Sequence, residues 1–435
     1  MTTIHHNFTK PDAGPRHAYL AERQTVEVAF DFGSSNDPRR VGTLEWDKGR
    51  RCAILEWDET FVADPLPLSP MLVRQISAVL KPRKGWFFEG IPAPFADSLP
   101  DGWARQVADA EILARGGNLR LISGLGRLAQ IGQNGLGALT YQPAWRGAVP
   151  EDMNLEWFSG CVASLDDGAS IEELLQLRLA AGGAHGDQPK FLAQMSTDGT
   201  RLRSHRNRLT RGWRHVLIKR REKSARNGSI EAEVAYALMA QAAGIQMMPV
   251  TTLQSNSKER FLAVERFDVT RDQRFHMQTA AALFGMDHKN ATVDYIDLLK
   301  LTRCLTRDSA QVEQMLLRMI FNARAVNRND HLRNHSFLMD AEGRWYLSPA
   351  YDLTHTMGKG GLHRMTMAGN NRQPGPVNFV DVGRALDIKP ARVLAMRDKV
   401  DRAISQWDGF AEAACVPRIL RHAIKDDIER ALTWH

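Results

Sequence analysis

The chain has 435 residues, 57 Lys and Arg against 50 Asp and Glu, and a formal net charge of +7. With 43% hydrophobic and 25% charged residues, its composition is that of a globular protein and excludes collagen, coiled coil and a disordered chain. No run approaches 18 consecutive apolar residues, and no apolar stretch follows the charges near the N-terminus. The sequence therefore predicts neither a transmembrane helix nor a secretory signal, and we expect a cytoplasmic protein of two or three domains.

Positive charge is concentrated in residues 201–226, which hold eleven Lys and Arg and one acid, Glu222. This basic stretch carries +10, which leaves about −3 for the rest of the chain. Such a charge density attracts phosphate groups or an acidic protein surface, while a solvated arginine-rich loop remains the alternative. Trp213 is the single aromatic residue of the stretch, so a base-stacking surface for single-stranded nucleic acid is not favoured.

The first third of the chain begins with alternating apolar and polar residues over 26–57, which predict a small antiparallel sheet. Loops rich in Pro and Gly, a helix over 103–115 and a strand over 138–141 follow. The glycine run within 124–141 lacks the strand, helix and acidic residue of a dinucleotide-binding motif, and we interpret its glycines as turns. A domain boundary is predicted near 143–150.

The remaining elements predict two further parts of the chain. Strands are predicted at 191–195, 214–220 and 262–269, and helices at 171–179, 230–243, across 279–326 and, as two or three amphipathic helices, within 390–435. Residues 327–353 predict a loop, a hairpin that turns at 341–343, and a second loop. The predicted domains are 1–150, 151–270 and 271–435.

Phosphoryl transfer needs a particular set of groups, and the chain contains them in order. Backbone N–H groups of a glycine-rich turn approach phosphates, a strand Lys neutralises their charge, and a helix Glu holds that Lys. An acidic residue orients the acceptor hydroxyl, while an Asn and an Asp bind Mg²⁺. The candidates are the turn at 182–190 with Lys190, then Lys219, Glu233 or Glu231, Asn334 and Asp352.

A zinc site is the alternative reading of the loop that contains Asn334. His331 and His335 stand four residues apart, so that on a helix both imidazoles could face one ion. The chain has no His-Glu-x-x-His sequence, and none of its four cysteines form a Cys-x2-Cys pair. Because Asn329, Asp330 and Ser336 favour a loop, we expect His331 to stiffen the loop or touch phosphate rather than bind zinc.

Several segments together resemble the HipA-like toxin kinases, the serine/threonine kinases of bacterial toxin–antitoxin pairs. The segments are SLPDGWARQ (98–106), GLGAL (135–139), AVERFD (263–268), NRNDHLRNHSF (327–337) and LSPAYDL (347–353). The resemblance covers nearly the whole length, and the last three segments are the most specific. It implies an α+β fold: a bilobed protein-kinase-like fold with a β-rich N-terminal subdomain and an all-α C-terminal lobe.

The resemblance also implies ATP and Mg²⁺ as ligands and assigns residues to them. The implied nucleotide-site residues are Gly186, Gln188 and Lys190 of the glycine-rich turn, Lys219, Glu265 and Phe267 of the hinge, and His331 and Tyr351. Asn334 and Asp352 are the implied Mg²⁺ ligands. The implied partners are a helix-turn-helix antitoxin, operator DNA through the antitoxin complex, and a protein substrate; aminoacyl-tRNA synthetases are targets in that family.

Two departures from the family pattern bear on activity. The catalytic Asp lies five residues before the metal-binding Asn in kinases, and that place holds Asn329; Asp330 and His331 are the neighbouring catalytic candidates. An amide does not accept the hydroxyl proton as a carboxylate does. The chain is therefore either a kinase inactivated by replacement of its Asp or a natural pseudokinase that binds nucleotide, antitoxin and DNA. In addition, the turn at 180–190 contains no Ser or Thr, so control by phosphorylation of a turn serine is not expected.

Overall fold

A computed structural model of the chain describes residues 25–434 except 34–36, 77, 84–86, 145–152, 222–224, 288 and 290–291. Most of the predicted boundary at 143–150 and three residues near the end of the basic stretch, Glu222, Lys223 and Ser224, lie outside the described residues. None of the helices in the described ranges is both long and apolar enough to cross a membrane.

The N-terminal part is built on the antiparallel sheet that the alternating pattern predicts. Its strands are β1 (Thr25–Phe30), β2 (Arg39–Asp47), β3 (Cys52–Trp57) and β4 (Leu139–Gln142), in the order β3-β2-β1-β4. Every second side chain of β1 is buried, because alternate residues of a strand point to opposite faces. Its helices are α1 (Glu59–Ala63), α2 (Gly102–Ala114) and α3 (Gly124–Ile131). The glycine run is therefore a short helix with Ser123 as its N-cap, followed by turns.

The second part is built on a five-stranded antiparallel sheet. Its elements are α4 (Leu155–Asp167), α5 (Ile171–Ala181), β5 (Lys190–Ser196), β6 (Leu202–Ser204), β7 (Trp213–Arg220), α6 (Ser229–Ala242), β8 (Val250–Gln254) and β9 (Arg260–Glu265). The strand order is β6-β5-β7-β9-β8. One face of the sheet is covered by α2, α4 and α5 through a core that includes Phe158, Phe191 and Phe261. The other face carries Lys190 and Lys219, which pair in register on β5 and β7.

The C-terminal lobe is mainly helical. Its helices are α7 (Ala280–Phe284), α8 (Tyr295–Thr306), α9 (Ser309–Arg324), α10 (Pro376–Arg384), α11 (Pro390–Ile404), α12 (Trp407–Ala413) and α13 (Arg418–Leu432). The expectation of an all-α lobe needs one correction, because β10 (His276–Thr279), β11 (Ser336–Met339) and β12 (Trp345–Leu347) form a three-stranded sheet. This sheet positions the two loops of the candidate site, which precede β11 and follow β12.

Helix α6 joins the two lobes. It is apolar on nearly all sides, as expected for a helix that is buried between other elements. Its Tyr236 ring lies 5.6 Å from the Trp407 ring of α12, and the Tyr236 hydroxyl donates to the Ala325 carbonyl at 2.5 Å. The helix is therefore anchored to the C-terminal lobe while its first turns face the sheet of the second part.

Candidate active site

The centre of the site is an ammonium group held by two carboxylates. Lys219 Nζ on β7 lies 2.7 Å from Glu233 Oε1 on α6 and 2.7 Å from Asp352 Oδ1 on the loop after β12. The Lys219 and Glu233 side chains are only 7% and 9% exposed, whereas Asp352 is 40% exposed. Glu231, the other candidate on α6, instead pairs with Arg260 at 3.1 Å. The structure therefore selects Glu233 as the helix carboxylate of the set.

The charges of Lys219 and Asp352 stabilise one another, whereas burial raises the pKa of Glu233 although Lys219 opposes this shift. Burial alone would lower the pKa of Lys219, but the carboxylates of Asp352 and Glu233 raise it above its ordinary value. The Lys219 ammonium in turn holds the pKa of Asp352 at about 2, although burial opposes this shift. Asp352 is therefore ionised at neutral pH, and its side chain is partly exposed.

Lys190 provides a second ammonium beside the first. Its Nζ donates to the His185 carbonyl of the glycine-rich turn at 2.5 Å, and the residue is almost completely buried. Burial and the neighbouring Lys219 lower the pKa of Lys190 to about 8. The two lysines thus lie side by side on one sheet face, close to the carboxylates of Asp352 and Glu233.

The glycine-rich turn lies over these lysines. Gly186 has a φ of +98°, and a Cβ built on it would lie 2.7 Å from Lys190 Nζ, so a side chain at this position would displace the lysine. Gln188 is half-buried two residues further along the turn. The turn thus brings main chain and both lysines to one side of the site.

The predicted hinge follows β9. Glu265 is half-buried and ends the strand, and the rings of Phe267 and Tyr351 lie 5.6 Å apart at an angle of 33°. The predicted strand over 262–269 is too long, since the chain leaves the sheet after Glu265. The structure thus brings Phe267 and Tyr351 together.

The hinge is fixed by a buried ion pair that the sequence analysis did not single out. Arg266 donates two hydrogen bonds to the Asp268 carboxylate, at 2.9 and 2.7 Å, and Asp268 also accepts from the Gly137 N–H at 2.7 Å. Burial raises the pKa of Asp268, but Arg266 outweighs it and holds the pKa at about 2. The sequence signal for this buried pair was that Asp268 lies in the segment AVERFD and Gly137 in the segment GLGAL.

Asn329 and Asp330, the two candidates for the position of the catalytic Asp, occupy different environments in the loop before β11. Asn329 is exposed, and its carbonyl accepts from the Asn334 side-chain amide at 2.9 Å. Asp330 is fully buried and accepts from Tyr295 Oη at 3.2 Å and the Arg364 N–H at 2.9 Å, with His363 Nδ1 at 3.1 Å. The structure therefore does not bring Asp330 to the surface of the site, whereas it places Asn329 there.

The two histidines of this loop occupy different environments. His331 is half-buried, and burial lowers its pKa, so that it is neutral at neutral pH. His335 is buried, with Nε2 3.4 Å from Tyr295 Oη. Within the described ranges, no three His, Cys, Asp or Glu side chains are grouped as metal ligands. An Asn and an Asp together with phosphate oxygens and water are the oxygen ligands that Mg²⁺ accepts, so the residues present fit that ion.

The loop after β12 is held in a strained conformation. Asp352 has a φ of +57°, in the left-handed region that non-glycine residues seldom occupy. The preceding Tyr351 fixes the loop, because its hydroxyl lies 2.5 Å from Ser336 Oγ and donates to the Arg333 carbonyl at 2.6 Å. These bonds join the Asp352 loop to the loop that contains Asn334.

Two family models match the chain: that of the HipA N-terminal domain over residues 35–142, and that of the HipA-like C-terminal domain over residues 179–407. The protein named "Putative kinase Y4dM" of Sinorhizobium fredii (strain NBRC 101917 / NGR234) is 33% identical over 98 residues, which are 22% of this chain and 24% of that protein. The chain thus matches about a quarter of the length of this curated relative.

A solved structure resembles the chain over most of its length. HipA of Shewanella oneidensis MR-1, from the complex of that toxin–antitoxin system's HipA and HipB with operator DNA, aligns with a TM-score of 0.64 and 14% identity. The alignment covers 94% of this chain and 95% of that chain. The bilobed, kinase-like α+β fold class predicted from the sequence is therefore confirmed.

Proposed function

Because the chain belongs to the HipA-like protein family, we propose that it is an ATP-binding serine/threonine kinase of the toxin type whose phosphotransfer is impaired by Asn329. The observation that carries this proposal is the Lys219–Glu233–Asp352 triad. In it, the buried ammonium group of Lys219 on the sheet pairs with a carboxylate of helix α6 and with a carboxylate of the loop after β12. Kinase chemistry needs these groups assembled around the phosphates.

The nucleotide would lie between the glycine-rich turn and the C-terminal lobe. Lys219 and Lys190 would neutralise phosphate charge, and turn N–H groups around Gly186 and Gln188 would approach the phosphate oxygens. The adenine would lie near the hinge, at Glu265, with the rings of Phe267 and Tyr351 packing beside it. His331, which is half-buried beside Asp352, would line the phosphate end of the same site.

Asn334 and Asp352 are the residues that would hold Mg²⁺. The ion, when bound, supplies positive charge to the phosphate oxygens during transfer. Asn334 is oriented by its hydrogen bond to the Asn329 carbonyl at 2.9 Å, and Asp352 by Lys219 at 2.7 Å. Both side chains are thus positioned by groups of the protein before any ion binds.

Asn329 would face the acceptor hydroxyl but cannot serve as its proton acceptor. A carboxylate at this position aligns the hydroxyl and takes its proton, and a neutral amide does neither efficiently. Asp330 does not replace it, because its carboxylate is buried and occupied by Tyr295 and Arg364. The alternative proposal is a natural pseudokinase that uses the same site only to bind nucleotide.

Mg-ATP is expected to bind to the unaltered chain, and more weakly as the pH rises. The lowered pKa of Lys190, about 8, means that its ammonium is lost above this pH, and with it one charge that faces phosphate. When binding requires the protonated form of this one lysine, the affinity for Mg-ATP is expected to be about eightfold lower at about pH 9 than at about pH 7.5. Isothermal titration calorimetry at both pH values, on the chain and on Lys190→Met, tests this.

The Lys190→Met variant should bind more weakly at both pH values and show no such decline. The absence of Mg-ATP binding to the folded, unaltered chain would refute the proposed function itself. An equal decline in both proteins would instead assign the pH dependence to another group.

The partners proposed for this chain are a helix-turn-helix antitoxin, operator DNA through the antitoxin, and a protein substrate such as an aminoacyl-tRNA synthetase; a cytoplasmic location is proposed with them. The positive charge of the basic stretch, residues 201–226, supports contact with a polyanionic partner such as DNA. Arg201, Arg206, Arg208 and Arg211 are exposed, whereas Arg203 lies 4.1 Å above the Trp213 ring and donates to Gln194 at 2.8 Å. Arg203 thus serves the fold, and the exposed arginines of the stretch are the candidates for contact.

Changing Arg206, Arg208 and Arg211 together to Gln is expected to weaken binding to a duplex DNA of about 30 base pairs. Each lost phosphate contact removes about 0.9 from the slope of log affinity against log salt, so three contacts remove roughly 2.7. Fluorescence anisotropy over a salt series measures both affinity and slope.

The matched control removes three exposed arginines of the C-terminal lobe helices, Arg384, Arg402 and Arg418. The two triple variants have the same net charge, so a general charge effect would weaken both equally. Unchanged binding in the first variant would show that the basic stretch is only a solvated loop.

A further inference from the structure

One segment of the N-terminal part, residues 97–103, contacts both the glycine-rich turn and the loop that carries Asn334; we call it the strap. It runs from the end of the short 3₁₀ helix Ala93–Ser98 into α2. The Trp103 N–H donates to the Gly186 carbonyl at 3.0 Å, and His185 Nε2 donates to the Asp97 carbonyl at 2.7 Å. The strap is thus joined to two adjacent residues of the turn.

The contact between strap and turn is a close approach of two backbones at Gly102. This residue has a φ of +51°, and a Cβ built on it would lie 2.4 Å from the Gly186 carbonyl oxygen and 2.5 Å from its carbonyl carbon. The same Cβ would lie 2.8 Å from Asp187 Oδ1. A side chain at position 102 would therefore force the glycine-rich turn away from its present position.

The strap is also fixed to the C-terminal lobe by two carboxylates. Asp101 forms an ion pair with Arg333, the residue before Asn334, and lies 3.9 Å from Lys289 Nζ. The Asp97 carboxylate accepts from the Thr279 N–H at 2.6 Å and from its hydroxyl at 2.9 Å. The strap therefore contacts the glycine-rich turn on one side and, on the other, the C-terminal lobe at the loop that contains Asn334.

A glycine-rich turn has an entropic reason to need such support. Gly182, Gly183 and Gly186 give it more accessible backbone conformations than other residues would, and fixing them costs free energy on binding. A contact that orders the turn beforehand lowers that cost for the ligand.

We propose that the strap holds the glycine-rich turn in its phosphate-binding position and couples it to the loop of Asn334, with Gly102 and Asp101 as positioning residues. This inference rests on the proposed function, since it assigns the turn to nucleotide phosphates. It adds a segment of the N-terminal part to the machinery that binds the nucleotide.

Gly102→Ala tests the contact with the turn, and Gly116→Ala is its matched control. Gly116 lies just after α2 and also has a positive φ, +73°, but a Cβ there meets nothing within 4 Å. Both variants thus carry a similar backbone strain, and only the first displaces the turn. Calorimetry should find Mg-ATP binding weakened about tenfold by Gly102→Ala and unchanged within about twofold by Gly116→Ala.

Adenosine distinguishes a positioning role from a general loss of structure. It lacks phosphates, so its affinity should stay within about twofold in Gly102→Ala, whereas a general loss of structure weakens ATP and adenosine in parallel. Unchanged ATP affinity in Gly102→Ala, or a parallel loss of both ligands, overturns the proposal.

Asp101→Asn tests the link to the other lobe without nucleotide and without a steric change. Amide hydrogen exchange over residues 184–188 and 331–334 should become faster by about fivefold or more, while α6 stays as protected as before. Unchanged exchange in both segments overturns the proposal, even if Gly102→Ala does not fold. If the unaltered chain does not bind Mg-ATP, the proposed function fails, and the exchange measurement still decides whether the strap restrains the turn.

Discussion

Asn329→Asp is expected to restore phosphotransfer and to make the protein inhibit growth when it is expressed without an antitoxin. The Asn329 residue is exposed at the site and is joined through its carbonyl to the side-chain amide of Asn334, at 2.9 Å. A carboxylate there would accept the proton of the acceptor hydroxyl, and a general base of this kind contributes on the order of 10²–10⁴ in rate. Transfer of labelled γ-phosphate to lysate protein, with growth curves, measures the effect.

Two controls accompany this experiment. Asn329→Asp combined with Asp352→Ala should be inactive, which shows that the restored transfer uses the same site. Asp330→Asn, made in the unaltered chain, tests whether Asp330 is the catalytic base instead, and it changes the side-chain volume little. If the unaltered chain already phosphorylates protein and loses this on Asp330→Asn, the assignment of position 329 is wrong. If Asn329→Asp stays inactive while ATP is bound, the chain is a natural pseudokinase.

Lys219→Ala is expected to lower Mg-ATP affinity by on the order of 10²-fold, because it removes the desolvated charge that is proposed to face phosphate. It also leaves the buried Glu233 carboxylate unpaired. Breaking a buried ion pair destabilises by about 3 kcal/mol, here at the lower end of the usual range because Asp352, the third member, is 40% exposed. Calorimetry and urea unfolding measure the two effects.

Affinity and stability can be separated with a second variant. Lys219→Ala combined with Glu233→Gln removes both partners of the buried pair, so part of the stability should return while the affinity does not. Lys300→Ala, at an exposed lysine of α8, should change neither quantity. An unchanged Mg-ATP affinity in Lys219→Ala would contradict the role proposed for the triad.

The fold could be predicted from the sequence wherever periodicity is strong. The alternation over 26–57 gave β1 to β3, and the strands over 191–195 and 214–220 match β5 and β7 within one residue at each end. The helices α1, α3, α4 and α10 were missed. In α3, two glycines obscured the apolar face, and its capping residue Ser123 was the available signal.

The candidate site could be predicted as a set of residue types but not as a set of contacts. Glu231 and Glu233 are equivalent by position on a helix, yet two residues of an α-helix differ by about 200° in direction. Packing of α6 turns Glu233 to Lys219 and Glu231 to Arg260. The same reasoning applies to Asn329 and Asp330, since only the surrounding chain decides which side chain faces outward.

The sequence by itself determined the chemistry: which lysines, carboxylates and amides the chain carries, in which order, and that position 329 holds an amide. These properties reside in single residues and short spacings, so they need no folded structure to be read. Only the tertiary structure decided which groups meet. Lys219 contacts Asp352 across 133 positions of sequence, and Asp101 contacts Arg333 across 232. Such pairs arise from the packing of the lobes, because the free energy that joins them comes from burial spread over the whole core and not from either residue alone.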